Sequence, residues 1–143
     1  MPSRLALLAM LLLVCTSSLA EDRKYIVVWP ELPFSNGVLV GDTLYIAGHL
    51  GLDPQTGKPP ADPEEEAKLV MDGVKKTVED AGMTMADVAM IQVHCPDLSL
   101  YAAFNKVYRT YFQDAFPARA FLGSGKLLRD ARFEVLGIAV KRK

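Results

Sequence analysis

The stretch Arg132-Phe133-Glu134-Val135-Leu136-Gly137-Ile138-Ala139-Val140 decides the fold. Phe133, Val135, Gly137 and Ala139 alternate with Glu134, Leu136, Ile138 and Val140, and apart from Glu134 both sets are apolar. Alternate side chains of a strand point to opposite faces of a sheet. This strand therefore needs cover on both sides.

Working back through the chain supplies cover for one side only. Pro117-Ala118-Arg119-Ala120-Phe121-Leu122 begins another strand, and Val88 to Cys95 reads as a third. Between them Leu100, Phe104, Val107, Tyr108 and Tyr111 share one face of a helix expected from Ser99 to Phe112. A longer helix opens at Asp62-Pro63, an N-cap followed by proline at the first helical position, and stops at Gly82. Ala67, Val70, Met71, Val74 and Val78 form its buried stripe, while Glu64, Glu65 and Glu66 read as a solvated first turn favoured by the helix dipole. Gly37 to Val40 and Thr43 to Ala47 flank Gly41-Asp42 as a hairpin, and Tyr25 to Trp29 is a short β-rich run before it. The order β-β-β-α-β-α-β-β predicts an α+β single domain, a six-stranded sheet with both helices on one face. No element is left for the second face, so another subunit is expected to cover it.

At the other end, Met1 to Ala20 stands outside this pattern. Arg4 precedes 11 uninterrupted apolar residues, Leu5 to Cys15, and small Ser18 and Ala20 precede the charged Glu21-Asp22-Arg23-Lys24. The run is too short to cross a hydrocarbon core of roughly 30 Å as a helix. It reads as a signal peptide over residues 1–20, cleaved near Ala20, giving an exported domain over residues 21–143, without membrane attachment after cleavage. The whole chain of 143 residues is 50% hydrophobic and 23% charged, with 16 Lys plus Arg against 17 Asp plus Glu. Cleavage removes 20 residues and the single cation Arg4, leaving 123 residues at formal charge −2. A phosphate-tracking surface needs a basic excess, so this balance argues against nucleic acid as a partner. Cys15 leaves with the leader and Cys95 remains alone, an inert buried thiol with no disulfide partner.

Several motifs fail on inspection. Gly123-Ser124-Gly125-Lys126 lacks the Ser or Thr of a phosphate loop, since Leu127 follows, and its first glycine, since Ala120 stands there. His94 and Cys95 are adjacent in a strand and point apart. The two His and one remaining Cys have no metal-ligand spacing, so no metal is expected. Arg119 and Glu134 stand out because their neighbours are apolar, and a buried charge needs a partner or a ligand. Either they pair with each other, or Arg119 grips a carboxylate with its planar fork while Glu134 accepts a proton near the bound ligand.

Pro33-Phe34-Ser35-Asn36-Gly37, Ala47-Gly48-His49, Asp53-Pro54-Gln55-Thr56-Gly57, Tyr101 to Phe112 with Asn105, Pro117-Ala118-Arg119, and Leu127-Leu128-Arg129-Asp130 with Glu134 together resemble the RidA/YjgF family of imine deaminases. The resemblance runs from about Pro33 to Lys141, and Pro-Ala-Arg is its most specific element. It implies the chorismate-mutase-like fold and a homotrimer with sites in the clefts between subunits. It further implies that Arg119 binds the carboxylate of a small 2-imino acid, and that Glu134 activates the water that releases ammonia and a 2-oxo acid. No cofactor is implied, because an iminium is already electrophilic. Gly48 and Asn105 fall at pocket positions.

The chain departs from the family pattern at Phe34 (usually Tyr), Ala47 (Ser), His49 (Gln), Phe121 (Cys) and Leu128 (Pro). Phe34, His49 and Phe121 therefore join Gly48 and Asn105 as expected substrate-binding positions of altered polarity. Two further readings stand beside the deaminase: a non-catalytic trimeric binder of small 2-imino or 2-oxo carboxylates, and the endoribonuclease activity attached to the family's name.

Overall fold

The computed structural model describes residues 22–26 and 31–142. The leader expected over Met1 to Ala20 lies outside the described residues, as do Val27, Val28 and Trp29 of the first expected strand and Lys143 of the basic end. The chain forms β1 (Arg23–Ile26), β2 (Gly37–Val40), β3 (Thr43–Leu50), α1 (Pro63–Asp80), β4 (Val88–Cys95), α2 (Tyr101–Tyr108), β5 (Ala118–Gly123) and β6 (Glu134–Val140). This is the expected α+β order. Single 3-10 turns extend α2 at both ends, Leu98–Leu100 and Arg109–Tyr111, so the helical segment spans what the periodicity predicts.

The six strands make one sheet in the order β1-β2-β3-β6-β4-β5. The last strand lies near the middle, antiparallel to both β3 and β4, while β5 is an edge strand parallel to β4. That central position explains the double apolarity of residues 134–140. Val135 and Ala139 are buried beneath the helices with Leu44, Ile46, Ile91 and Val93. From above, Val70, Met71, Val74 and Val78 of α1 and Phe104 and Tyr108 of α2 close this core. Cys95 is buried here too, its Sγ donating to the Asp97 carbonyl at 3.0 Å, and burial pushes the thiol above its ordinary range.

Among the described residues no helix covers the opposite face. Leu136 and Ile138 are half-buried by their neighbours, and Tyr45, Val140 and Leu122 are 53, 42 and 40% exposed. An apolar sheet face of this kind marks an interaction surface.

α1 begins as expected, with the Asp62 side chain accepting from the Glu64 amide at 2.9 Å and Pro63 next to it. The reading of its acidic run as wholly solvated is corrected at Glu66. Glu64 and Glu65 reach solvent or its edge, but Glu66 is 0% exposed. Its Oε1 accepts from the backbone amides of Arg132 (2.6 Å) and Phe133 (3.2 Å), and its Oε2 from Arg132 Nε at 2.5 Å. The same guanidinium donates to the Pro60 and Ala61 carbonyls. Gly51 completes the junction, because a Cβ there would overlap the Glu66 carbonyl oxygen. One carboxylate thus joins the first turn of α1 to the start of β6, with the end of β3 packed against the backbone of the same residue.

Removing one partner of a buried charge pair strands the other and costs about 3–5 kcal/mol. Glu66→Ala should therefore lower the unfolding free energy by that amount in urea titrations. Glu65→Ala, one position away on the exposed side, should change it by less than about 0.5 kcal/mol.

Candidate functional site

Arg119 lies on β5 opposite Ile91 of β4, and both face the helices. Its Nη1 donates to Asn105 Oδ1 at 2.6 Å and its Nη2 to the Tyr101 hydroxyl at 3.3 Å. The guanidinium carbon sits 4.6 Å from the ring centre of Tyr108 and 5.5 Å from that of Tyr101, within cation–π range. Two of its five N–H groups are committed in this way. The others border a cavity of about 180 Å³ lined by Tyr101, Asn105, Tyr108, Arg109, Pro117 and Arg119. The Tyr101 hydroxyl is held below its ordinary acidity range by the Asn105 side chain and then by the Arg119 charge.

Glu134 lies elsewhere. It pairs in register with His94 of β4, three positions on from Ile91, and an odd step along a strand reverses the face. Arg119 and Glu134 therefore occupy opposite sides of the sheet. Within one chain this rules out a structural ion pair between them, and neither residue joins any ion pair among the described residues. Glu134 instead lies over Gly48, where a Cβ would overlap its Oε1. Glycine at this position is what lets the carboxylate lie flat against β3.

The structure thus sorts the sequence-predicted positions into two groups. Arg119, Asn105 and Phe121 stand together on the helix side. Phe121 packs edge-on against Tyr101 and Phe104, with centroids 5.1 and 5.5 Å apart, and forms the floor beside the guanidinium. Gly48 and Glu134 stand together on the open side. Phe34 is in the loop before β2, 52% exposed.

His49 belongs to neither group. Regular alternation places it with Gly48's neighbours at the pocket, but the β3–β6 register shifts between Ile46 and His49 and returns His49 to the helix face opposite Val135. There Nδ1 meets the Ala47 carbonyl at 2.7 Å, as donor, and Nε2 meets the Thr77 hydroxyl at 2.8 Å. Burial holds the imidazole below its ordinary value of 6.5, against the opposing pull of the Ala47 carbonyl. His49 ties β3 to α1 and has no path to Glu134.

As aromatics at helical spacing, Tyr101 and Tyr108 read from the sequence as core or interface residues. Their positions, with Asn105, follow the 101-105-108 spacing of one helical face, so hydroxyl, amide and hydroxyl line one stripe. That stripe was the available signal for a polar site.

Residues 28–141 match the family described as endoribonuclease L-PSP. The chain is 38% identical over 110 residues to the 2-iminobutanoate/2-iminopropanoate deaminase of Capra hircus, covering 76% of this chain and 80% of that protein. The E. coli YjgF gene product superposes with a TM-score of 0.77 at 32% identity, covering 83% of this chain and 99% of that one. E. coli TdcF, solved with bound serine, gives 0.76 at 31% identity over 83% and 100% of the two chains.

The setting of His49 has a measurable consequence. A group whose folded-state affinity for protons is depressed contributes stability above its unfolded pKa and loses it as pH falls below. Stability should decline from about pH 6.5 downward, by at most about 1.4 kcal/mol per pH unit for one proton. His49→Gln, which keeps a polar side chain without the titration, should flatten melting temperature between about pH 7.5 and 5 relative to the parent.

Proposed function

The chain belongs to the endoribonuclease L-PSP family, the RidA/YjgF group, and from that premise we propose that it hydrolyses small 2-imino acids to 2-oxo acids and ammonia. The observation that carries the reading is the Arg119 guanidinium. It is oriented by Asn105 and Tyr101, unpaired with any carboxylate among the described residues, and open to a small cavity. A planar fork held in this way suits a carboxylate.

A single chain does not bring Glu134 to that cavity. The reading therefore requires a second copy, whose uncovered sheet face carries Gly48 and Glu134 toward the edge strand and α2 of its neighbour. A trimer closed through these faces buries the apolar surface and makes three such clefts. The endoribonuclease reading has no comparable support: the cations near Arg119 form no extended track, and Lys106 on the same helix is neutralised by Glu64 at 2.7 Å.

In the cleft, Arg119 holds the substrate carboxylate and fixes the iminium carbon. A water oxygen adds to that carbon while the Glu134 carboxylate takes one of its protons, and the C=N π electrons pass to nitrogen. Glu134 then returns the proton to nitrogen. The C–N bond breaks, the hydroxyl oxygen closes the C=O bond, and its proton leaves with ammonia as ammonium. Atoms and charge balance without any cofactor.

Arg119→Ala should keep the fold and lose affinity for 2-oxobutanoate by about 100-fold, the worth of one or two charge-assisted hydrogen bonds. Arg119→Lys should recover little of it. Glu134→Gln should bind 2-oxobutanoate and release no ammonia from 2-iminopropanoate generated in situ. Turnover surviving in Glu134→Gln would remove the base from the mechanism, and absence of turnover in the parent would leave a carboxylate binder. Export is part of the proposal. Light scattering and intact mass on protein from a secretion-competent host should give three chains, each beginning at Glu21.

A further inference from the structure

The cavity beside Arg119 holds more than one carboxylate needs. Arg109 lines it from the turn that ends α2, and its charge reaches the Tyr101 hydroxyl. No Asp or Glu lines the cavity, and neither Arg109 nor Arg119 joins an ion pair among the described residues. Two uncompensated guanidinium groups thus border one small space. Lys106, on the same helix, has its own carboxylate in Glu64 and does not contribute.

A second observation also points to a ligand. The Tyr108 hydroxyl is buried without a hydrogen-bond partner, in a residue only 3% exposed that lines this cavity. Burial pushes its pKa up to about 12, with Arg119 opposing the rise, so at neutral pH it is a donor with nothing to donate to. A buried hydroxyl without a partner is unfavourable. A ligand in this cavity would supply the partner that this hydroxyl lacks.

We propose that the site prefers dicarboxylates, 2-imino or 2-oxo acids of about four or five carbons, with one carboxylate on Arg119, the other on Arg109, and the Tyr108 hydroxyl donating to the bound ligand. The inference rests on the Arg119 clamp of the proposed function and adds the class of substrate. The space is small, about 180 Å³, which suits a short-chain acid rather than a larger ligand. The ring of Tyr108 beneath Arg119 keeps one end of the space apolar, where the short carbon chain lies.

The test compares 2-oxoglutarate with 2-oxopentanoate, five-carbon acids that differ in the second carboxylate, by calorimetry at low ionic strength. 2-Oxoglutarate should bind about tenfold more tightly. Arg109→Ala should bring the ratio close to one, while Lys106→Ala should leave it intact. Tyr108→Phe supplies an independent reading: the unliganded protein should melt at a higher temperature and bind 2-oxoglutarate several-fold more weakly. Equal affinities in the parent, or a preference that survives Arg109→Ala, would overturn the dicarboxylate assignment and leave the clamp standing. Unchanged 2-oxoglutarate affinity in Tyr108→Phe would overturn the hydroxyl's part. Binding of neither acid would instead strike the Arg119 clamp and the proposed function with it.

Discussion

The structure depends on one carboxylate placed where solvent cannot reach it. Glu66 accepts two backbone amides at the start of β6 and pairs with Arg132, whose guanidinium also holds the two carbonyls before α1. Without this junction the loop after β5 would have no reason to deliver Glu134 beside Gly48. The adjacent loop residues Arg129 and Asp130 adopt left-handed backbone angles, φ 60 and 58°, which cost non-glycine residues about 1 kcal/mol or more each. A conformation of that kind persists only where its ends are firmly held, and Glu66 holds the end that leads into the site.

How far the sequence could be read follows from which forces are local. The stripe Ala67-Val70-Met71-Val74-Val78 and the Asp62-Pro63 cap depend on neighbours along one helix, and both appear as read. The doubly apolar last strand marked the face that the helices leave uncovered. Glu66 was misread because the three glutamates were read together as one solvated turn rather than by helical phase. Its phase was legible all the same, since Glu66, Val70 and Val74 recur every four residues on the buried side. His49 was set at the pocket by the resemblance alone, and the register shift between Ile46 and His49 turns it to the helix face instead.

For the two charges singled out in apolar surroundings, Arg119 and Glu134, the relation between them needed the sheet. Sequence places Arg119 and Glu134 fifteen residues apart and leaves both pairing and separation open. Only the parallel β4–β5 register and the antiparallel β4–β6 register put them on opposite faces. Tyr101 and Tyr108 show the complementary lesson. As aromatic residues at helical spacing they satisfy the core pattern, and their hydroxyls gain meaning only when the edge strand sets a guanidinium above them.

The opposite-face arrangement bears on inheritance. With the clamp on one side of the sheet and the carboxylate on the other, the proposed cleft draws its two halves from different chains. A cell carrying two alleles, one defective at Arg119 and one at Glu134, would assemble mixed oligomers in which an intact guanidinium meets an intact carboxylate at some of the clefts. Each defective allele alone gives none. Intragenic complementation would follow from the proposed cleft, and the two lesions would then behave differently in trans than when both are carried on one polypeptide.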